Sequence, residues 1–198
     1  MVCACIDIGT NTTRVLVADA EKGKLTEVLQ RRRACRDFRD EPVAPELLRR
    51  VAAAAASAST ASNVPYRHLM IVDDPRVIRA IRQISPALRA DPPCLLIVMT
   101  DVAMAVERVG RVGEVSSLID SGAAGENAWL AAIDAGLATG FTMISAMAGI
   151  RTILGLPDIL RVDLIMPLGY PAEHAPTVSR RRRPSTPLHV NQYGHVDS

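Results

Sequence analysis

Apolar residues along this chain fall into two kinds of run. Short unbroken runs read as buried strands: "RHLMIV" (67–72), "PPCLLIVMT" (92–100) and "VDLIMPLGYP" (162–171). Runs with a period of three to four read as helices. Pro45 and Glu46 stand where a helix should open, and Leu47, Leu48, Val51 and Ala55 then share one face. After Asp74 and Pro75, the residues Val77, Ile78, Ile81 and Ile84 line one side, with Arg76, Arg79 and Arg82 opposite. Residues 117–136, "SLIDSGAAGENAWLAAIDAG", are rich in small side chains and poor in charge, which predicts a buried helix. "AMAGIRTILGLP" (146–157) predicts a short helix stopped by Gly155 and Pro157. Near the start, residues 2–8 and 13–19 read as two strands around a Gly-Thr-Asn-Thr turn, and "LTEVLQRRR" (25–33) places Leu25, Val28 and Leu29 on one helical face. The tail "RRRRPSTPLHVNQYG" (180–194) is polar and contains proline, so it reads as an arm. No internal repeat is visible.

Helices and strands alternate after residue 40, and the strands are few and short beside the helices. The expectation is an α+β sandwich of helices and sheet. Residues 1–24 form a β-hairpin appendage in this reading, and residues 25–198 one main domain. Of the residues, 48% are hydrophobic but only 3% aromatic, so the core has to be built from Ala, Val, Leu, Ile and Met. A net charge of +2 is too balanced to imply nucleic acid or an anionic membrane as partner. No apolar run approaches the ~18 residues of a bilayer span. The start "MVCACID" lacks the regions of a signal peptide, so a reduced, cytoplasmic protein is expected. Cys3, Cys5, Cys35 and Cys94 form no CxxC pair, and His68, His174, His189 and His195 are scattered. That spacing predicts no metal site.

Two constellations carry candidate chemistry. The first is "IDIGTNTTRVLVAD", Ile6 to Asp19, where Asp7, Gly9, Thr10 and Thr12 offer a close backbone approach, hydroxyls and a carboxylate to a phosphate. Over residues 3 to about 30 it resembles the phosphate-binding hairpin of the exopolyphosphatase/guanosine-pentaphosphatase branch of the acetate kinase, sugar kinase and actin superfamily. That resemblance implies a second, facing hairpin, for which "LIDSGAAGEN" (118–127) is the candidate. Ala123 and Ala124 stand where such a hairpin wants glycine, and the continuation has helical spacing. A phosphohydrolase is the alternative reading.

The second constellation is a pair of basic clusters, Arg32, Arg33 and Arg36 near one end and Arg180 to Arg183 near the other. Arginine grips a phosphate in a bidentate way that lysine cannot. From Thr26 onward the chain resembles the FMN-dependent nitroreductase family, through "EVLQRRRACRDFRDEPV", "STASNVPYRHLMIV", "IDSGAAGENAWLAAIDAGLATG", "LGLPDILRVDLIMPLGYPAE" and the arginine-rich arm, in that order. The resemblance implies an α+β three-layer sandwich, a mixed sheet flanked by helices with an extended C-terminal arm, and a homodimer with FMN at the subunit interface. It also implies ping-pong hydride transfer through flavin N5 between a small-molecule donor, NAD(P)H, and a small organic acceptor. Arg32, Arg33, Ala34 and Arg36 would line the phosphate and the pyrimidine edge, with Arg180 and Arg182 completing the phosphate site. Ser62 and Asn63 would serve the ring's pyrimidine side, and Thr139 to Ile144 would lie near its other side, close to N5, with Met143 and Ile144 where the family usually has Gly-Gly. Ala34 stands where the family usually has serine, and Pro65, Tyr66 and Arg67 where it usually has Gln-Pro-Trp. No side chain is implied as acid or base, because the cofactor carries the chemistry. A looser resemblance, in the short middle and the tail, is to the cyclodipeptide oxidase branch. A flavin-fold module without catalysis is a further alternative.

Overall fold

In a computed structural model of the chain, the described residues are 3–9, 12–18, 28, 32–89, 91–142, 146–173 and 187–193. Strands β1 (Cys3–Gly9) and β2 (Thr12–Ala18) form an antiparallel pair, with Cys3 opposite Ala18 and Gly9 opposite Thr12. They make a two-stranded sheet of their own. The main sheet has four strands in the order β3 (Arg67–Val72), β4 (Cys94–Asp101), β6 (Leu160–Gly169), β5 (Ala138–Thr139). All three ladders are antiparallel, where a mixed sheet was expected. Among the described residues, parallel pairing is confined to an isolated bridge between Ala34 and Thr139. Apolar runs fix which residues are in strands, but not the direction in which they pair.

The expected three layers are present. β4 is buried along its whole length, because both faces are covered. Cys94, Leu96 and Val98 point to one side, where they meet α1 (Pro45–Ala56) through Leu48, Val51 and Ala55 and α4 (Gly113–Asp134) through Ala124, Ala128, Trp129 and Ala132. Leu95, Ile97 and Met99 point to the other, against Ile78 and Ile81 of α2 (Pro75–Ile84) and Ile150 of α5 (Met147–Leu154). The alternation of a strand thus serves two cores at once.

α4 starts four residues earlier than the sequence pattern suggests, and a further helix, α3 (Val102–Val109), precedes it. Asp101 opens α3 by accepting the Met104 N–H at 2.8 Å. Gly113 lets α4 sit directly on α3, since a Cβ there would lie 2.2 Å from the Ala105 carbonyl oxygen. The small residues of α4 mostly turn inward. Ala124, Ala128 and Ala132 are fully buried in the chain's own core, while Val112, Val115, Leu118 and Ile119 are exposed. The candidate second phosphate hairpin, 118–127, lies wholly within α4. Of the expected helix over 25–33, Val28 is helical, and the Arg32 N–H bonds its carbonyl at 3.1 Å.

Behind β4 and β6 lies a closed polar network. The Asp163 carboxylate is almost wholly buried and accepts from Thr100 Oγ1 at 2.5 Å, Ser121 Oγ at 2.7 Å and Arg161 Nε at 2.5 Å. Arg161 also donates to Ser117 Oγ at 2.9 Å. A buried carboxylate is tolerated because every side is met by a donor, and the network ties α4 to the sheet.

Candidate functional site

The arginine segment 32–40 is held in the sheet by its backbone. Ala34 bridges Thr139 in parallel fashion, and the Cys35 N–H donates to the Thr139 carbonyl at 3.0 Å. Phe38 bridges Pro171, and the Arg39 N–H donates to the Tyr170 carbonyl at 2.9 Å. The segment therefore runs from β5 to the end of β6 and carries its side chains past the junction. Gly140 makes the close approach possible, for a Cβ on it would lie 3.3 Å from that of Ala34.

A cleft opens along this seam. Its lining includes Ala34, Cys35 and Arg36 from the segment, Gly140, Phe141 and Thr142 from beyond β5, and Arg89 from the loop between α2 and β4. Two arginines and no carboxylate line it, so its charge suits an anion. Arg33 and Arg36 are exposed, and neither has an ion-pair partner among the described residues. The Thr139 hydroxyl, fully buried beside the seam, has no hydrogen-bond partner among them either.

Arg32 is placed differently. Its Nε lies 3.0 Å from Glu126 Oε1, and its guanidinium stands over the Trp129 ring, 4.8 Å from the centroid. Trp129 in turn meets Phe141 edge-to-face at 5.0 Å. Gly125 leaves room for that ring, since a Cβ there would sit 2.9 Å from Phe141 Cε1.

Ser62 and Asn63 are exposed and both left-handed, with φ of 54° and 56°. Asn63 lines a second groove with Thr60, Pro65, Arg67 and Leu69, apart from the cleft of Ala34 and Arg36. The turn is held from behind. Asp120 of α4 accepts the Ala61 N–H at 2.8 Å and the hydroxyl of Tyr66. Arg67 caps the end of α1, donating to the Ala58 carbonyl at 2.8 Å and the Ser59 carbonyl at 2.6 Å. Burial, reinforced by donation to Asp120, pushes the Tyr66 hydroxyl up to about 12. Burial likewise pushes the Cys94 thiol up to about 12, so this cysteine is an inert core group.

Of the residues singled out in the sequence, Ala34 and Arg36 share the cleft, Arg33 belongs to the same segment, and Ser62 and Asn63 lie on another surface. Met143, Ile144, Arg180 and Arg182 lie outside the described residues. Arg89 escaped the sequence reading, because a charge in a polar loop that also holds Asp91 carries no signal without the fold. Phe141 falls within the stretch Thr139 to Ile144 that the resemblance places near the ring. Among the described residues no cluster of His, Cys, Asp and Glu could hold a metal ion, and no helix is long and apolar enough to cross a membrane.

Comparison with known proteins bears on the whole of this arrangement. A protein of Methanothermobacter thermautotrophicus described as an NADH dehydrogenase/NAD(P)H nitroreductase is 27% identical over 162 residues, which is 79% of this chain and 82% of that protein. The fold matches solved structures along most of its length. A protein of Parabacteroides distasonis, also described as an NADH dehydrogenase/NAD(P)H nitroreductase, superimposes with a TM-score of 0.74 at 21% identity, over 87% of this chain and all of that one. An FMN-dependent nitroreductase of Clostridium difficile gives 0.70 at 21% identity, over 84% of this chain and 98% of that one. The NADPH:FMN oxidoreductase of Vibrio harveyi gives 0.70 at 24% identity, over 87% of this chain and 79% of that one. The sequence pattern of the Nitroreductase family matches residues 29–90 and 85–170, and the chain belongs to that family.

Proposed function

We propose that the protein is an FMN-dependent oxidoreductase, a homodimer that passes electrons from NAD(P)H to a small organic acceptor in ping-pong fashion. The observation that carries this reading is the cleft at Ala34–Arg36, walled by small residues and flanked by Arg36 and Arg89 without a lining carboxylate. The arginines suit the phosphate of such a cofactor, while Ala34 and Gly140 pack against each other, so this cleft alone does not form the space for its ring. The buried Thr139 hydroxyl is a donor in reserve beside them. Bound FMN supplies the carrier that accepts hydride from one substrate and yields it to another. The chain's own part is to bind, orient and exclude water. Arg33 and Arg36 hold the anionic end, Phe141 closes one wall, and the Asp120–Tyr66–Arg67 brace presents Ser62 and Asn63 in a fixed turn.

The separation of Ser62–Asn63 from the cleft within one chain supports a site completed by a second subunit. The exposed apolar face of α4, Val112, Val115, Leu118 and Ile119, supports the same arrangement. Residues 1–24 are an appendage in this reading. The phosphohydrolase alternative needs a facing hairpin at 118–127, and those residues belong to a helix.

The test is the absorbance spectrum of the purified protein, followed by flavin titration and NAD(P)H oxidation. The expected result is a flavin band, or FMN uptake on reconstitution, with oxidation of NAD(P)H when an acceptor is added. A protein that neither carries nor binds flavin sinks the reading.

A further inference from the structure

A second cavity opens between the end of the arginine segment, the start of α2 and the loop before β4. It holds about 520 Å³, within the range of small-molecule sites, whereas the cleft at Ala34–Arg36 holds about 10 Å³. The two share no lining residue. Phe38 and Ile78 give the cavity apolar surface, and Pro42, Pro75, Pro92 and Pro93 stiffen its walls. Proline has no side-chain freedom to lose when a ligand arrives. Gly169 lets the end of β6 run against this wall, for a Cβ on it would lie 2.7 Å from Pro93 Cδ and 2.9 Å from Phe38 Cδ1. Five charged side chains also line the cavity: Arg39, Arg79, Asp40, Asp73 and Asp91. Two of them are engaged. Asp91 pairs with Arg82 at 2.5 Å, and Arg39 donates through Nε to the Pro171 carbonyl at 3.1 Å. Asp40, Asp73 and Arg79 are exposed and have no ion pair or side-chain hydrogen bond among the described residues.

We propose that this cavity binds a small zwitterion with an apolar body, of the amino-acid or short-peptide class, as a site separate from the flavin cleft. The ligand's ammonium answers Asp40 and Asp73, its carboxylate answers Arg79, and its side chains lie on Phe38 and Ile78. Other classes fit less well. A phosphate would meet three carboxylates, a simple cation would meet two guanidinium groups, and a purely apolar molecule would leave the charges unanswered. Among the described residues a metal ion finds no ligand cluster. The cleft at Arg36 and Arg89 has the opposite character, two cations and no carboxylate, so charge divides the ligands between the two places. The prolines and the Gly169 contact set the walls before any ligand binds, which lowers the cost of binding. The free charges stand at the rim in water, so each contributes on the scale of an exposed ion pair.

The probe is leucyl-leucine, a linear dipeptide with two apolar side chains and free termini. Equilibrium dialysis against the full-length chain, flavin-free and FMN-saturated, should show one saturable site per chain in both states. The same dipeptide acetylated and amidated keeps the side chains and loses the charges, and it should bind about fivefold more weakly. Arg79→Gln and Asp73→Asn should each weaken leucyl-leucine binding about two- to fivefold and leave FMN binding unchanged. Both positions are exposed, and Asp74, which caps α2, stays in place, so both variants should keep the circular dichroism of wild type. Absence of saturable binding overturns the proposal, as does equal binding of the capped dipeptide, or an affinity that neither variant lowers. Binding that is lost when FMN is added would place the dipeptide in the flavin cleft and overturn it too. Should the chain bind no flavin, the function proposed above fails, and dialysis against the flavin-free chain still decides this one.

Discussion

Arg36 and Arg89 reach one cleft from distant parts of the chain, and their roles can be separated from that of the ring by choice of ligand. Arg36→Ala should weaken FMN binding by about 1.5–3 kcal/mol, the scale of a hydrogen bond to a charged group. Riboflavin binding should change far less, and fluorescence quenching by the two ligands measures both. Tyr66 gives a prediction in pH. Its hydroxyl is raised to about 12 by burial and by donation to Asp120, from an unfolded value near 10.0. The unfolded chain therefore loses this proton before the folded one does. The stabilisation is complete below pH 10 and is lost as pH rises toward 12. Tyr66→Phe, compared with wild type in denaturation curves across that window, should remove this component and flatten the decline. Since the same hydroxyl braces the Ser62–Asn63 turn, the variant should also bind flavin less well at neutral pH. The cluster of Arg32, Arg33 and Arg36 is visible in the sequence because like charges stand together. The place of Arg89 beside Arg36 is not, since only the fold brings the two to one cleft.

At the scale of elements, periodicity and burial runs located β3, β4 and β6, and helices α1, α2, α4 and α5. Pro75 after Asp74 marked the start of α2 as observed, with Asp74 accepting the Arg76 N–H at 2.8 Å. The pairing direction was not legible, because an apolar run such as "CLLIVM" looks alike in parallel and antiparallel sheets. α3 and the early start of α4 were missed for a related reason. "DVAMAVERVGRVGEV" has the small residues Ala105 and Gly113 at the helix–helix contact, where the eye looks for long apolar side chains. Gly113 is the key position there, for nothing larger fits against the Ala105 carbonyl. Gly113→Ala would ordinarily favour a helix. Here it should destabilise the protein, and thermal unfolding should show a lower Tm than wild type. A higher Tm would mean that α3 and α4 do not sit against each other as described.

For the whole molecule the question is what covers the outer face of α4. Leu118 and Ile119 are exposed at 50% and 68%, and with Val112 and Val115 they form an apolar stripe along the helix. A stripe of this size on a lone chain is an aggregation hazard, and burying it between two copies would remove the hazard. The alanines at 124, 128 and 132 pack within the chain, against β4 and α1, and the larger residues lie on the outer face. The turn at Ser62–Asn63 adds a functional reason, because Asp120 of α4 holds it through the Ala61 N–H. A partner docked along α4 would approach that turn as well. Leu118→Glu combined with Ile119→Glu places two charges on the stripe while leaving the buried face of the helix untouched. Light scattering should give twice the chain mass for wild type and the single chain mass for the variant. If the flavin site is shared between subunits, the monomeric variant should also lose FMN binding while its circular dichroism stays that of a folded chain. A folded monomer that binds FMN as well as wild type would show that one chain holds the whole site, and the dimeric reading would fall.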